Sequence, residues 1–467
     1  MDACVPSTNC KNMMGITESL IQLVNEYYYD LMTWANNVMH TNTNSILSSI
    51  NNAKAKKGTN NNLFQKQRMH ALGDLVSSIL KKVGVFITAD TYLEDVIRMS
   101  IFATGDVSET ILFKVFRDDS TVIMKLMPLE VPHKYPLLQQ QMQMSPRDLN
   151  TFIWDNIEAP NYSLFMKEAW LGCFSQQNLQ KYTPAFTCVS DCYLIRGLPI
   201  NSVKDLNSMI DDYDKSHRHP LRMKDWLDAI TNPQTKTRLA QEIYHSVWGC
   251  VEMEEIDETL DSMFVAGDPI NLSLIFECFY TKLVSAFIGR IIFTDDHFEN
   301  IGYITVDYSR VYNIKCNGCM YRFIMPPGKM IQFIDLERYV FNFSHYDIFT
   351  NAALRTIPDK NLNYSQARIN ESYSITTHHD KSLTGFLSQY VTATSFEDPE
   401  EYEIMHKILN SPFFHDIKTF PSIMDIHMPS KYRGSPVGKY QEYHLDLDDD
   451  SLRVITLDQV LGMTSNH

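Results

Sequence analysis

The chain has 467 residues, 44% apolar and 21% charged, so length alone allows about two to four domains with substantial cores. Fifty-six acidic residues against 41 basic ones leave a formal net charge of −15, which argues against a nucleic-acid partner. The most apolar long run, 271–293, carries Glu277, Lys282 and Arg290, charges too costly for a membrane span. The first residues lack the basic-then-apolar pattern of a secretory leader, so a chain that is neither secreted nor membrane-spanning is expected.

Residues 1–95 read as a polar helical extension, with apolar positions at helical spacing from Ile16 to Leu31 and a second helix near 63–83. Residues 98–130 change character. Three β-rich runs, the second ILFKVF and the third TVIMKLM, are joined by the tight turn RDDS and predict an antiparallel meander. Residues 131–160, rich in Pro, Gln and Met, read as an insertion, and 161–174 as a helix. Phe186–Leu198 reads as two short strands closing at Gly197, and 201–270 as mixed and helical.

The apolar run 271–293 predicts a buried core helix. It leads into Thr294-Asp295-Asp296-His297-Phe298-Glu299-Asn300, then into a strand over 301–307. Asp335 ends another apolar strand, IQFID. Asp295 and Asn300 are five positions apart on one loop, and Asp335 closes a strand further on. Two carboxylates and an amide in this order suit metal-assisted phosphoryl transfer: one carboxylate orients a hydroxyl and takes its proton, while hard oxygen donors hold Mg²⁺.

Cys316-Asn317-Gly318-Cys319 is a C-x-x-C. Zinc needs four ligands, and the other close pair, Cys188 and Cys192, is predicted in a different part of the fold. Asn-Gly is itself a hairpin signal, so a turn with two free thiols is expected. The nine cysteines, without a leader, are read as thiols. After Asp335, residues 345–356, 384–392 and 400–410 read as helical. The acidic run Asp446–Asp450 reads as a solvated stretch.

In order, a Gly-containing strand turn, a strand Lys, a helix Glu, a long helix, D-x-H-x-x-N, a strand and a strand-end Asp resemble the protein kinase-like superfamily. The segment NIKCNGCMYRFIMPPGKMIQFIDLE is similar to the serine/threonine kinases of large cytoplasmic DNA viruses. The resemblance implies an α+β bilobal fold, with a small β-rich lobe at 96–199 and a larger helical lobe from 200 to 467. It implies an enzyme using ATP and Mg²⁺ on a protein substrate, in host cytoplasm or a virion.

Carried onto this chain, the resemblance makes Lys125 the phosphate-holding lysine, with Lys114 its rival, and Glu168 the lysine's partner. Gly105 and Ser108 belong to the phosphate loop GDVSET, and Gly197 to the adenine segment. Asp295 is the base, His297 a γ-phosphate contact or brace, and Asn300 and Asp335 the Mg²⁺ ligands. The chain departs from the pattern in having one glycine in the phosphate loop, Asp335-Leu336-Glu337 in place of DFG, and no A-P-E motif. Asp347 then stands as the brace of the catalytic loop. A small-molecule kinase of the choline or aminoglycoside type and a pseudokinase with a structural role are the alternatives.

Overall fold

The computed structural model describes, with interruptions, residues 86–128, 165–209, 233–341 and 383–452. The helices expected over 1–83, the insertion at 131–160 and the helix at 345–356 lie outside the described residues. Helix and strand both contribute substantially, giving an α+β chain. The described residues fall into two compact units: those up to 173 and from 188 to 255 form the first, and those from 174 to 187 and from 256 onward the second.

Unit one is built on a six-stranded sheet. Its strands are β1 (Phe86–Thr88), β2 (Arg98–Thr104), β3 (Ile111–Phe116), β4 (Thr121–Pro128), β5 (Val189–Arg196) and β6 (Val247–Met253). They lie in the order β1-β5-β6-β4-β3-β2. The expected meander is β2-β3-β4, antiparallel throughout, and β1 joins the far edge in parallel with β5. In β3 the alternation is plain: Ile111, Phe113 and Val115 are buried, while the residues between them are half-covered.

Strand β4 sits between β3 and β6, and Val122–Met127 are all buried. One face of the sheet, carrying Phe113, Met124, Leu126, Ile195, Trp248 and Cys250, forms a continuous core. Lys125 projects from the opposite face. Two expectations change here. Phe186–Leu198 holds one strand, not two, and its partner β6 comes from the stretch read as mixed and helical. VWGCVEM is short and apolar, and such a run does not tell strand from helix by period.

Unit two is organised around a helix with nearly every side chain buried. Helix α1 (Leu260–Ala266) follows β7 (Glu258–Thr259) and ends at Gly267 in the left-handed conformation, φ 78°. Helix α2 (Leu272–Phe287) is the predicted core helix. It stops short of 293, and Ile291–Phe293 form strand β8 instead. Asn271 caps α2 by accepting from the Leu274 N–H, and buried Glu401 accepts the N–H of Leu272 at 2.6 Å. Two further helices, α3 (Pro399–Leu409) and α4 (Phe420–His427), pack together, α3 opening on an Asp398 cap with Pro399 at its first position.

Three small sheets complete unit two. Strand β9 (Ile301–Val306) lies between β7 and β12 (Gly328–Phe333). Strand β10 (Ser309–Cys316) lies between β11 (Cys319–Met325) and β14 (Tyr440–Asp446). Strand β8 pairs with β13 (Tyr339–Phe341). The β10–β11 hairpin turns at Asn317 and Gly318, with φ of 52° and 74°, as the Asn-Gly pair predicts.

Two charged residues of α2 are buried and matched. Glu277 accepts from Arg310 Nε at 2.8 Å, Tyr312 Oη at 2.9 Å and the Ile331 N–H at 3.2 Å. The Arg310 guanidinium also donates to the carbonyls of Pro326 and Lys329, so both charges are satisfied inside the core. Burial alone would lower the Arg310 pKa, but Glu277 outweighs it and the guanidinium is held above its ordinary value. Lys282, the second, pairs with Asp296.

Candidate functional site

In unit one the site is an ion pair beneath a sheet. Lys125 Nζ stands 2.8 Å from Glu168 Oε2, with both side chains buried. The register explains how they meet. Lys125 lies opposite Val251 on β6, and Gly249, two residues along on the same face, lies opposite Met127. Phe165 covers Gly249 so closely that a Cβ there would stand 2.5 Å from its ring. Glu168 follows Phe165 by three residues in helical backbone, about one turn, which brings it over Lys125. The rival, Lys114, points elsewhere and pairs with Glu255, both partly exposed.

A second buried acid, Glu252, sits on the same sheet. It accepts from Arg117 Nη1 at 3.0 Å and Nη2 at 2.5 Å, and from the Tyr193 hydroxyl at 2.6 Å. This network ties the turn after β3 to β5 and β6. Gly197 ends β5 at φ 84°, and the next N–H, of Leu198, donates to the Tyr244 carbonyl at 2.8 Å. Gly105 and Ser108 lie outside the described residues.

In unit two the remaining candidates sit on the loop after β8 and at the end of β12. Asp295 lies outside the described residues. Its neighbour Asp296 is buried and bonds through Oδ2 to Lys282 Nζ, while Oδ1 meets no hydrogen-bond donor among the described residues. That pair pins the loop to α2, and sequence reasoning missed it. The signal was present as a lysine inside an apolar helix with an acid fourteen residues on.

Residues Phe298–Asn300 form one 3₁₀ turn, closed by the Asn300 N–H donating to the His297 carbonyl at 3.0 Å. The Asn300 side-chain nitrogen lies 3.2 Å from His297 Nε2. A donor there makes Nε2 the acceptor and leaves the imidazole proton on Nδ1, which faces Glu299 Oε2 at 3.7 Å. The Asn300 amide nitrogen is thus turned toward the His297 ring.

Antiparallel pairing of β9 and β12 brings Ile301 opposite Phe333, and the Ile334 N–H donates to the Asn300 carbonyl at 3.1 Å. Asp335 is the next residue, and it is held at φ 56°, left-handed for a non-glycine. Non-glycine residues keep this conformation where the surroundings enforce it, at a cost of about 1–3 kcal/mol. The structure therefore brings His297, Asn300 and Asp335 to one strand end.

Asn300 and Asp335 offer an amide oxygen and a carboxylate. Among the described residues, no three His, Cys, Asp or Glu side chains gather as a metal cluster. The pair suits Mg²⁺, which takes one or two carboxylates and fills its shell with phosphate and water oxygens, and does not suit an all-protein cage.

Five described cysteines are thiols, Cys192, Cys250, Cys278, Cys316 and Cys319. Cys188 is disulfide-bonded, against the expectation of thiols throughout. Among the described residues no helix is long and apolar enough to cross a membrane. No protein-family model matches the chain, and no curated protein does.

Proposed function

We propose that the chain is an ATP- and Mg²⁺-dependent phosphotransferase with a bilobal protein kinase-like fold, acting on serine or threonine of a protein substrate. The observation that carries this reading is the buried Lys125–Glu168 pair at 2.8 Å on a sheet face. A lysine inside a strand is costly to bury, and a carboxylate that holds it in place fits a group kept for anchoring phosphates. The shared strand end of Asn300 and Asp335 supports the same reading.

Lys125, oriented by Glu168, contacts the α- and β-phosphates of the nucleotide. Asn300 and Asp335 hold Mg²⁺, with His297 fixing the amide of Asn300. When bound, Mg²⁺ neutralises phosphate charge. Asp295 orients the substrate hydroxyl and accepts its proton.

The test is transfer of labelled γ-phosphate from ATP to a generic protein or to the chain itself. Asp295→Asn and Asp335→Asn should each reduce the rate by about 100-fold or more, the scale of a lost general base or metal ligand. Unchanged rates in both variants would overturn the assignment.

A further inference from the structure

The β10–β11 hairpin places two thiols opposite each other. Cys316 and Cys319 are cross-strand partners on either side of the Asn317-Gly318 turn, and both are thiols. Directly opposed residues share a face of the sheet, with Cα atoms about 4.5–5.5 Å apart. A disulfide needs about 4.4–6.8 Å, so the backbone already meets that requirement. Tyr321, two residues along β11, shares the face. Its phenol is pushed up first by burial and then by Cys319 and Cys316, as expected where both sulfurs lie near one ring.

The two thiols differ in access. Cys319 is exposed and Cys316 is buried, at 1%. The turn between them is held from outside: Asp448 accepts the N–H groups of Asn317 at 2.7 Å and Gly318 at 2.9 Å. Cys192, Cys250 and Cys278 are buried, so none offers a comparable first point of attack.

We infer that Cys316 and Cys319 form a reversible dithiol–disulfide couple, oxidised by low-molecular-weight disulfides. The Cys319 thiolate attacks one sulfur of the small disulfide, releasing one small thiolate and forming a mixed disulfide. Cys316 then gives up its proton and attacks the Cys319 sulfur, forming the internal bond and expelling the second small thiolate. Two protein thiols are oxidised and one small disulfide is reduced to two thiols. A ring closed over two residues removes little chain entropy from the unfolded state, so the bond adds little to folding stability.

The experiment incubates the full chain with oxidised glutathione, alkylates the remaining thiols and maps peptides by mass. The expected result is a Cys316–Cys319 bond, two hydrogens lighter, without adduct and reversed by dithiothreitol. Cys316→Ser should stop at a glutathione adduct on Cys319. Cys319→Ser, at an exposed position, should leave Cys316 unmodified. A persistent adduct on Cys319 of the unaltered chain, no reaction at either thiol, or an adduct on Cys316 of the Cys319→Ser chain would overturn the inference. None of these outcomes depends on phosphotransfer.

Discussion

Two lysines eleven positions apart on neighbouring strands show how burial decides what an ion pair is worth. Lys125 and Glu168 are both buried, so removing one partner leaves an unmatched charge in the interior, at a cost of about 3–5 kcal/mol. Lys114 and Glu255 are each roughly a third exposed, and water screens them to about 0–1 kcal/mol. Glu168→Ala should therefore lower the unfolding free energy several-fold more than Glu255→Ala, measured by urea denaturation. Equal losses would remove the distinction between the two lysines. In the proposed function His297 would act through Asn300, 3.2 Å away, as a positioning residue. His297→Ala should raise the Mg²⁺ concentration needed for half-maximal activity more than it lowers the rate at saturating Mg²⁺. His297→Gln, which still offers an acceptor oxygen, should restore much of the requirement. A uniform loss in both variants would mean that His297 serves stability alone.

At the scale of elements, Gly249 connects β6 to the helix bearing Glu168. A Cβ at this position meets the Phe165 ring at 2.5 Å, so Gly249→Ala must push the helix outward. The expected cost is about 1–3 kcal/mol of stability, with weakened Lys125–Glu168 pairing and lower activity, read by denaturation and by phosphate transfer. The part played by Gly249 was not legible beforehand, because β6 is a short apolar run whose partners lie far away in sequence. The meander, α2, β9 and the Asn-Gly hairpin were legible because their signals are local: alternation, a long apolar run and a turn dipeptide. Strand β14 was not, since it pairs in parallel with β10 across more than a hundred residues. Its acidic end was read as merely solvated, yet Asp446 bonds Lys315 at 2.8 Å and Asp448 holds the hairpin turn. The bond to Lys315 lowers the Asp446 carboxyl, and the Gly318 and Asn317 amides lower that of Asp448. Carboxyls lowered in the folded state contribute their full stabilisation above the ordinary value of 3.8 and lose it as pH falls through the lowered one. Hydrogen-exchange protection of the Asn317 and Gly318 amides, corrected for intrinsic rates, should thus stay level from neutral pH to about 3.8 and fall only below it. Loss of protection well above that pH would show that another group controls the turn.

At the scale of the whole molecule, the proposed function makes the stability of the chain depend on nucleotide. A ligand that binds only the folded chain stabilises it by about 2.7 kcal/mol at a free concentration a hundred times its dissociation constant. That raises a melting temperature by roughly 2–4 °C per kcal/mol for a unit of about 150–250 residues. Mg-ATP should therefore raise the unfolding temperature of the full chain. Lys125→Met should remove most of the rise. Asp335→Asn should remove the part that depends on Mg²⁺, leaving the smaller shift given by ATP with EDTA. A protein that has given up catalysis but still binds nucleotide would keep the shift and transfer no phosphate. A chain with no shift at all in Mg-ATP would have no nucleotide site, and the ion pair at Lys125 would then serve the sheet alone.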